Sequence, residues 1–435
     1  MKKNIVLYIV LITGTVFLFS SCKKEYGNLN SPTIEDYTKN ASKAQLDGLV
    51  AGTLSGMRNN EGIYLDVVGV IGREMFRFSN ADPRYVTELP GSAPLNNTGF
   101  YITNPWGSRY RVVKNCNVLI EAATNSSQVS DAEKKGYYGF AKTIKAHQLL
   151  MNLNLTYTNG VRIDVADPNN LGPILPFDQS LAAISSLLDE AQSDLTGSTI
   201  SFALSSGFAG FSDAAGLIKF NRALAARVDV YGKQWAKALT DLNASFLDLN
   251  GSFQTGIYEV YGTGAGDQLN SAFFPQNQNG EVRLAHPLYK TDIGASDDRI
   301  GKATLRAVTA SNSGFSSDRD IWVYTTSTAP LPVIRNEELI LIYAEAKIQS
   351  GAVADLNSAV TALNKIRNGH GLGNYAGAVS QSALITEMLY QRRYSLFYEG
   401  HRWVDMRRYN LLSSLPIDRT GDQVWKELPI PQAEQ

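Results

Sequence analysis

The chain has 435 residues, of which 44 % are hydrophobic and 19 % charged, and its 40 basic and 41 acidic side chains leave a formal charge of −1. That length holds one large or two ordinary domains with a substantial core. The balance lacks the basic excess of a nucleic-acid binder, and two cysteines are too few for a disulfide framework.

Lys2 and Lys3 precede an apolar run over 5–19, which Ser20, Ser21 and Cys22 end. About 15 apolar residues match a signal-peptide core and fall short of the ~20 that span a bilayer as a helix. Residues 1–21 therefore read as a lipoprotein signal peptide. The small residues before Cys22 resemble the lipobox of bacterial lipoproteins, which implies lipidation of Cys22 and anchoring by buried acyl CH₂ groups at about 0.8 kcal/mol each. Loss of Lys2 and Lys3 with the leader leaves 38 bases against 41 acids, a formal charge of −3. Residues 22–40 are polar, with Gly27 and Pro32, and read as the lipidated N-terminus and a flexible tether.

Helical periodicity then recurs. In 110–123, Val112, Val113, Cys116, Leu119 and Ile120 fall at spacings of three and four, with Cys116 as a buried helical thiol. A longer helix over 131–157 opens with Ser130 as N-cap and Glu133 completing a capping box. Residues 180–195 form a third, and 217–249 a helix pair broken near Gly232. Ala225 and Ala226 before that break, with Ala238 and Leu242 after it, give the small-residue crossing of a tetratricopeptide unit. The plan returns in 336–369, with Ala344 and Ala346 before Gly351 and Ala359 and Leu363 after it. The first helix of that pair is apolar almost all round and should be buried on most faces. The expected fold class is mainly α, a tetratricopeptide-like helical-repeat scaffold with long irregular loop excursions. These excursions are 80–106, rich in proline, and 251–332, rich in Gly, Ser, Asn, Asp and aromatics, and they are where recognition is expected.

No His-Glu-x-x-His, Cys-x-x-Cys or Gly-x-Ser-x-Gly motif is present, and His147, His286, His370 and His401 are scattered. The glycine-rich 262–267 lacks the Lys-Ser/Thr of a phosphate loop, and 369–374 follows a helix where a dinucleotide site follows a strand. The acidic turn 164–170 lacks a full calcium-loop pattern. These absences argue against zinc and a serine nucleophile, no cofactor or metal is expected, and any two of the 41 acids could converge for glycoside hydrolysis, although nothing singles out a pair.

Four stretches at the C-terminal end are specific in order and spacing: RNEELILIYAEA (335–346), ALNKIRNGHG (362–371), QRRYSLFYEGHRWVDMRRYN (391–410) and LPIPQAE (428–434). Together they resemble the SusD/RagB family of Bacteroidetes outer-membrane lipoproteins, with supporting matches at 115–121, 132–157, 224–239 and 296–302. Gln391 and Ser395 stand where that family commonly has acids. The resemblance implies one SusD-like α/α superhelix over 41–435, with an N-terminal helical part at 41–250, the excursion at 251–332 and a C-terminal helical part at 333–435. It further implies a lipid-anchored, non-catalytic protein on the extracellular side of the outer membrane. Such a protein passes oligosaccharide or another small nutrient to a SusC-like TonB-dependent transporter. In 394–410, Glu399, Arg402, Asp405 and Arg408 recur every three residues beside Leu396, Trp403 and Met406. This stretch reads as scaffold, its buried charges partnered on one helix or on two joined at Gly400.

A glycan site needs aromatic platforms beside hydrogen-bonding side chains. The segment 96–111 offers Phe100, Tyr101, Trp106 and Tyr110 with Asn104 and Arg109, and Gly and Pro around Trp106 place it in a loop. Second come Arg77, Phe78 and Arg84 in 73–85, and Trp322 and Tyr324 in 319–326. Competing readings are a tetratricopeptide-type envelope scaffold that binds only protein, favoured by the repeats alone, and a glycan-cleaving enzyme. The second requires two carboxylates converging in an aromatic cleft.

Overall fold

The computed structural model describes residues 34–434, so the signal peptide, Cys22 and most of the expected tether lie outside the described residues. The last seven tether residues form helix α1 (Ile34–Asn40), which is tied to the scaffold by Asn125 Nδ2 donating to the Thr38 carbonyl at 2.8 Å. These residues, read from composition as the end of the tether, are helical.

Helices α2 (Lys43–Met57), α3 (Glu61–Ile71), α4 (Phe100–Asn125), α5 (Asp131–Thr156), α6 (Phe177–Leu195), α7 (Ala214–Tyr231) and α8 (Trp235–Ala244) build the N-terminal part. Each of α4 to α7 packs on the next, and α2 lies on α4. The Ser130–Glu133 capping box is formed, and the 217–249 pair breaks after Tyr231. Ala225, Ala226 and Ala238 are fully buried at the α7–α8 crossing, as a close approach of helix axes requires.

The C-terminal part adds α10 (Asn336–Ser350), α11 (Val353–Gly369), α12 (Gln381–Ser395) and α13 (Arg402–Arg408); the short α9 (Pro287–Asp292) precedes them. Helix α10 packs on α7, α8, α11 and α12, which explains its lack of a polar face. Gly351 ends it at φ 73°, a left-handed conformation that glycine adopts without a Cβ penalty.

Buried ion pairs join the helices. Arg227 on α7 forks onto Glu338 on α10 at 2.7 and 2.6 Å. Arg392 reaches Asp405 at 2.6 Å, Arg408 reaches Asp405 at 2.8 Å and Glu345 at 2.6 Å, and Arg335 reaches Glu399 at 2.8 Å. Three of the four charges singled out in 394–410 are thus partnered inside the scaffold. Arg402 forms no ion pair among the described residues, and burial lowers its guanidinium to about 10. Ser395 accepts a 2.9 Å bond from Arg299, and Gln391 donates to Glu387 at 2.7 Å.

The excursion read as irregular contains strands. An antiparallel sheet has the order β1 (Met75–Phe78), β5 (Val282–Ala285), β7 (Phe315–Ile321), β6 (Ala303–Asn312), and β4 (Gly256–Glu259) pairs with β8 (Leu331–Arg335). Two-residue strands β2 (Val161–Arg162) and β3 (Ile174–Leu175) make a small ribbon. The excursion at 80–106 is shorter than expected, because α4 starts at Phe100 and carries Pro105 within it. That proline removes only the amide that would reach the Tyr101 carbonyl, a loss tolerable near a helix start.

Candidate functional site

The turn after β1 begins with Asp82, whose carboxylate caps the Arg84 amide at 3.0 Å and grips the Arg84 guanidinium at 2.9 and 2.6 Å. This holds Arg84, 35 % exposed along its side chain, with its guanidinium 4.6 Å from the half-buried Phe100 ring. Phe100 meets Tyr85 edge-on at 5.0 Å. Behind Tyr85 lies Arg77 on β1, 4.9 Å from that ring and 4.8 Å from Phe274. Arg283 on β5 stacks on Phe274 at 3.9 Å, and the adjacent Phe273 lies 6.1 Å from Trp322.

These contacts string Arg84, Phe100, Tyr85, Arg77 and Phe274 into a row, which the chain continues from Phe274 to its neighbour Phe273 and so to Trp322; Tyr85 and Arg77 are themselves buried. Phe100, Phe273, Phe274 and Trp322 are half-buried, so each keeps some surface in water. Among the described residues no acceptor meets the Trp322 indole N–H. Half-buried aromatic side chains beside an indole donor and a guanidinium suit a ligand with C–H faces and hydroxyls.

The row rests on a buried charge. Asp66 on α3, 1 % exposed, accepts from Arg283 Nε at 2.6 Å and Nη2 at 2.9 Å, from Arg77 Nε at 3.3 Å and from the Tyr398 hydroxyl at 3.0 Å. Arg77 also pairs with Glu281. Arginine charge is thereby neutralised beneath the rings. The Arg84 hydrogen bonds hold the Asp82 carboxyl below its ordinary range. Burial alone would raise Glu281, but the bonds from Ser79 and Arg77 outweigh it and leave Glu281 lowered.

The residues expected to bind ligand divide. Phe100, Arg77, Arg84 and Trp322, from three separate segments, belong to the row. Tyr101 lies beneath it, fully buried, donating to Glu88 and accepting from the Asn96 amide, and Phe78 is buried in the sheet's own apolar cluster. Trp106 and Tyr110 turn to another side of α4. The placement of Trp106 in an exposed loop is corrected: it is helical, 3 % exposed, 5.0 Å from the Tyr110 ring, and its indole donates to Glu434 at 3.2 Å. Tyr110 exchanges 2.9 Å bonds with the backbone of Arg162. Arg109 is a core residue at 0 % exposure, paired with Glu61 and donating to the Met57 carbonyl at 2.7 Å. Tyr324 is also in the core, its hydroxyl 3.3 Å from the Tyr398 carbonyl, whereas Asn104 is exposed on α4.

Phe273 and Phe274 escaped the sequence reading. Their signal was present: two adjacent phenylalanines before Pro275, in a stretch with no apolar period to bury them. Among the described residues no group of three or more His, Cys, Asp or Glu side chains gathers as a metal site, and no helix is long and apolar enough to cross a membrane.

Residues 294–432 match the model of the SusD family, SusD_RagB. The chain shares its fold with a SusD superfamily protein from Bacteroides vulgatus, at 15 % identity and a TM-score of 0.68 over 90 % of this chain and 96 % of that one. It is similarly related to surface glycan-binding protein A from Bacteroides uniformis, at 17 % identity and a TM-score of 0.69 over 90 % and 97 %. A SusD-like carbohydrate binding protein from Bacteroides vulgatus is 16 % identical with a TM-score of 0.62 over 85 % and 83 %. No curated protein matches the sequence. The family match lies in the segment that carries the specific motifs, and the likeness of fold to SusD superfamily structures extends over nine-tenths of the chain.

Proposed function

We propose that this protein is a non-catalytic, cell-surface glycan-binding lipoprotein, anchored to the outer membrane through Cys22, that hands its ligand to a SusC-like TonB-dependent transporter. The observation that carries the reading is the Arg84–Phe100–Tyr85–Arg77–Phe274–Phe273–Trp322 row. The printed descriptions of two structural relatives, a surface glycan-binding protein and a carbohydrate binding protein, support it. Asp82 and Glu281, two carboxylates beside the row, are held ionised by arginine, whereas glycoside cleavage needs a carboxyl kept protonated as general acid. This favours capture over cleavage.

The test is a glycan array probed with the mature chain from Lys23 onward. One glycan class should bind without product release, and Trp322→Ala should weaken that binding by at least ~1 kcal/mol with unchanged thermal unfolding. Pull-down of a large outer-membrane barrel by the lipidated protein tests the hand-over. Retention of a protein partner with silence across the array would favour the protein-only scaffold.

A further inference from the structure

The helical scaffold carries another cleft, of about 550 Å³, within the roughly 300–1,000 Å³ of small-ligand sites. It shares no lining residue with the aromatic row. It opens where α5, α7 and α13 end and where α6 and α8 begin, and its aromatic walls are Tyr157, Phe177, Trp235 and Tyr409. The first three of these sit at helix ends, where packing leaves them half-buried.

Part of the polar lining is used within the protein, with Gln349 donating to the Tyr409 hydroxyl at 3.2 Å and that hydroxyl donating to Glu345 at 2.8 Å, and part faces solvent. Asp178, Lys233 and Asn410 are exposed in the cleft, and among the described residues their side chains have no hydrogen-bonding or ionic partner, nor has the Trp235 indole N–H. Three helix C-termini converge here, and their last carbonyls are largely taken, for example Val230 by the Lys233 amide, Arg407 by the Asn410 amide and Leu155 by the Leu428 amide, which leaves side chains and rings as the surface for a ligand. Net charge is small, because the lining holds one Lys233 and one Asp178 and Arg408 is neutralised by Glu345 at 2.6 Å and Asp405 at 2.8 Å.

The backbone is unusual at the same place. Tyr157, Lys233 and Asn410 all have positive φ, at 43°, 57° and 56°. For a bulky aromatic such as Tyr157, with ψ −112°, that is an outlier, and outliers of this kind persist at ligand sites where the surroundings hold them. The Tyr157 ring is held by Phe177 at 4.7 Å and by the Arg407 guanidinium at 4.2 Å. The result is a fixed platform.

Rigid rings separated by free donors and acceptors, with no excess charge, fit neither an anion nor the continuous apolar stripe of a docked helix. They fit a neutral polyol ring. We propose that this cleft is a second saccharide-binding site, taking a neutral mono- or disaccharide with its C–H face against the aromatic walls and its hydroxyls on Asp178 and Asn410. The inference stands on the cleft's own lining and does not depend on the row.

The chain has five tryptophans, so 5-fluorotryptophan labelling gives one fluorine resonance per site, with Trp235→Phe and Trp322→Phe assigning the two that matter. The mature chain is titrated with glucose, galactose, mannose, xylose, maltose, lactose and cellobiose. A saturable shift of the Trp235 resonance that persists in the Trp322→Phe protein is expected. Asp178→Ala, an exposed change that leaves the other resonances in place, should weaken it about fivefold or more, as expected for loss of a ligand hydrogen bond. A Trp235 resonance unmoved by every sugar, or moved equally in Asp178→Ala, overturns the second site. A sugar that moves Trp322 alone also overturns it and leaves the row as the sole saccharide surface.

Discussion

Asp66→Asn removes one charge from beneath the aromatic row while keeping the side chain's size. The two Asp66 oxygens accept four hydrogen bonds, at 2.6 and 2.9 Å from Arg283, 3.3 Å from Arg77 and 3.0 Å from Tyr398. Asparagine exchanges one acceptor oxygen for an NH₂ that faces guanidinium N–H groups, and it strands buried positive charge. Breaking a buried pair in this way costs about 3–5 kcal/mol. An unfolding entropy of about 2.1 cal/mol/K per residue over roughly 400 residues gives about 0.8 kcal/mol/K, so the midpoint should fall by about 4–6 °C. Scanning calorimetry measures this directly. Asp66→Asn combined with Arg283→Met, which deletes the stranded guanidinium, should recover part of the loss. Glycan affinity should fall even well below the midpoint, since Phe274 lies on Arg283 at 3.9 Å and on Arg77 at 4.8 Å. A midpoint change under about 1 °C for the single variant would refute the argument that this carboxylate holds the row's arginines.

Trp106→Ala should destabilise the protein by about 3–5 kcal/mol, as for a buried aromatic, while leaving affinity at the row unchanged; weakened binding without a lower melting temperature would restore its role as a platform. Burial raises the Glu74 carboxyl to about 8. Its folded pKa exceeds its unfolded one, so its stabilising contribution is full at low pH and is lost as pH rises from about 4.5 to about 8. Glu74→Gln should therefore gain in melting temperature relative to the parent between about pH 5 and pH 8, and a flat difference would exclude Glu74 as the titrating group. Cys116 is fully buried, and burial pushes its thiol up to about 12; its alkylation by iodoacetamide, followed by mass spectrometry, should track global unfolding, and rapid labelling of the native protein would contradict this packing.

Amino-acid order alone determined the helical scaffold. The spacing of Val112, Cys116 and Leu119, the Ser130–Glu133 box and the glycine at 351 act within one or two turns of chain, so they can be read without knowing what packs where. The small residues of α7, α8, α10 and α11 announced their crossings for the same reason. Tertiary structure alone decided the proposed ligand surface. Arg109 and Trp106 have the right chemistry for a glycan, yet Glu61 and Glu434, distant in sequence, draw them into the interior. Phe100 and Trp322 are separated by more than two hundred residues and become part of one surface only because β1 pairs with β5 and Asp66 ties Arg77 to Arg283. Strand pairing and side-chain exposure depend on partners remote in sequence, and local periodicity carries no record of them.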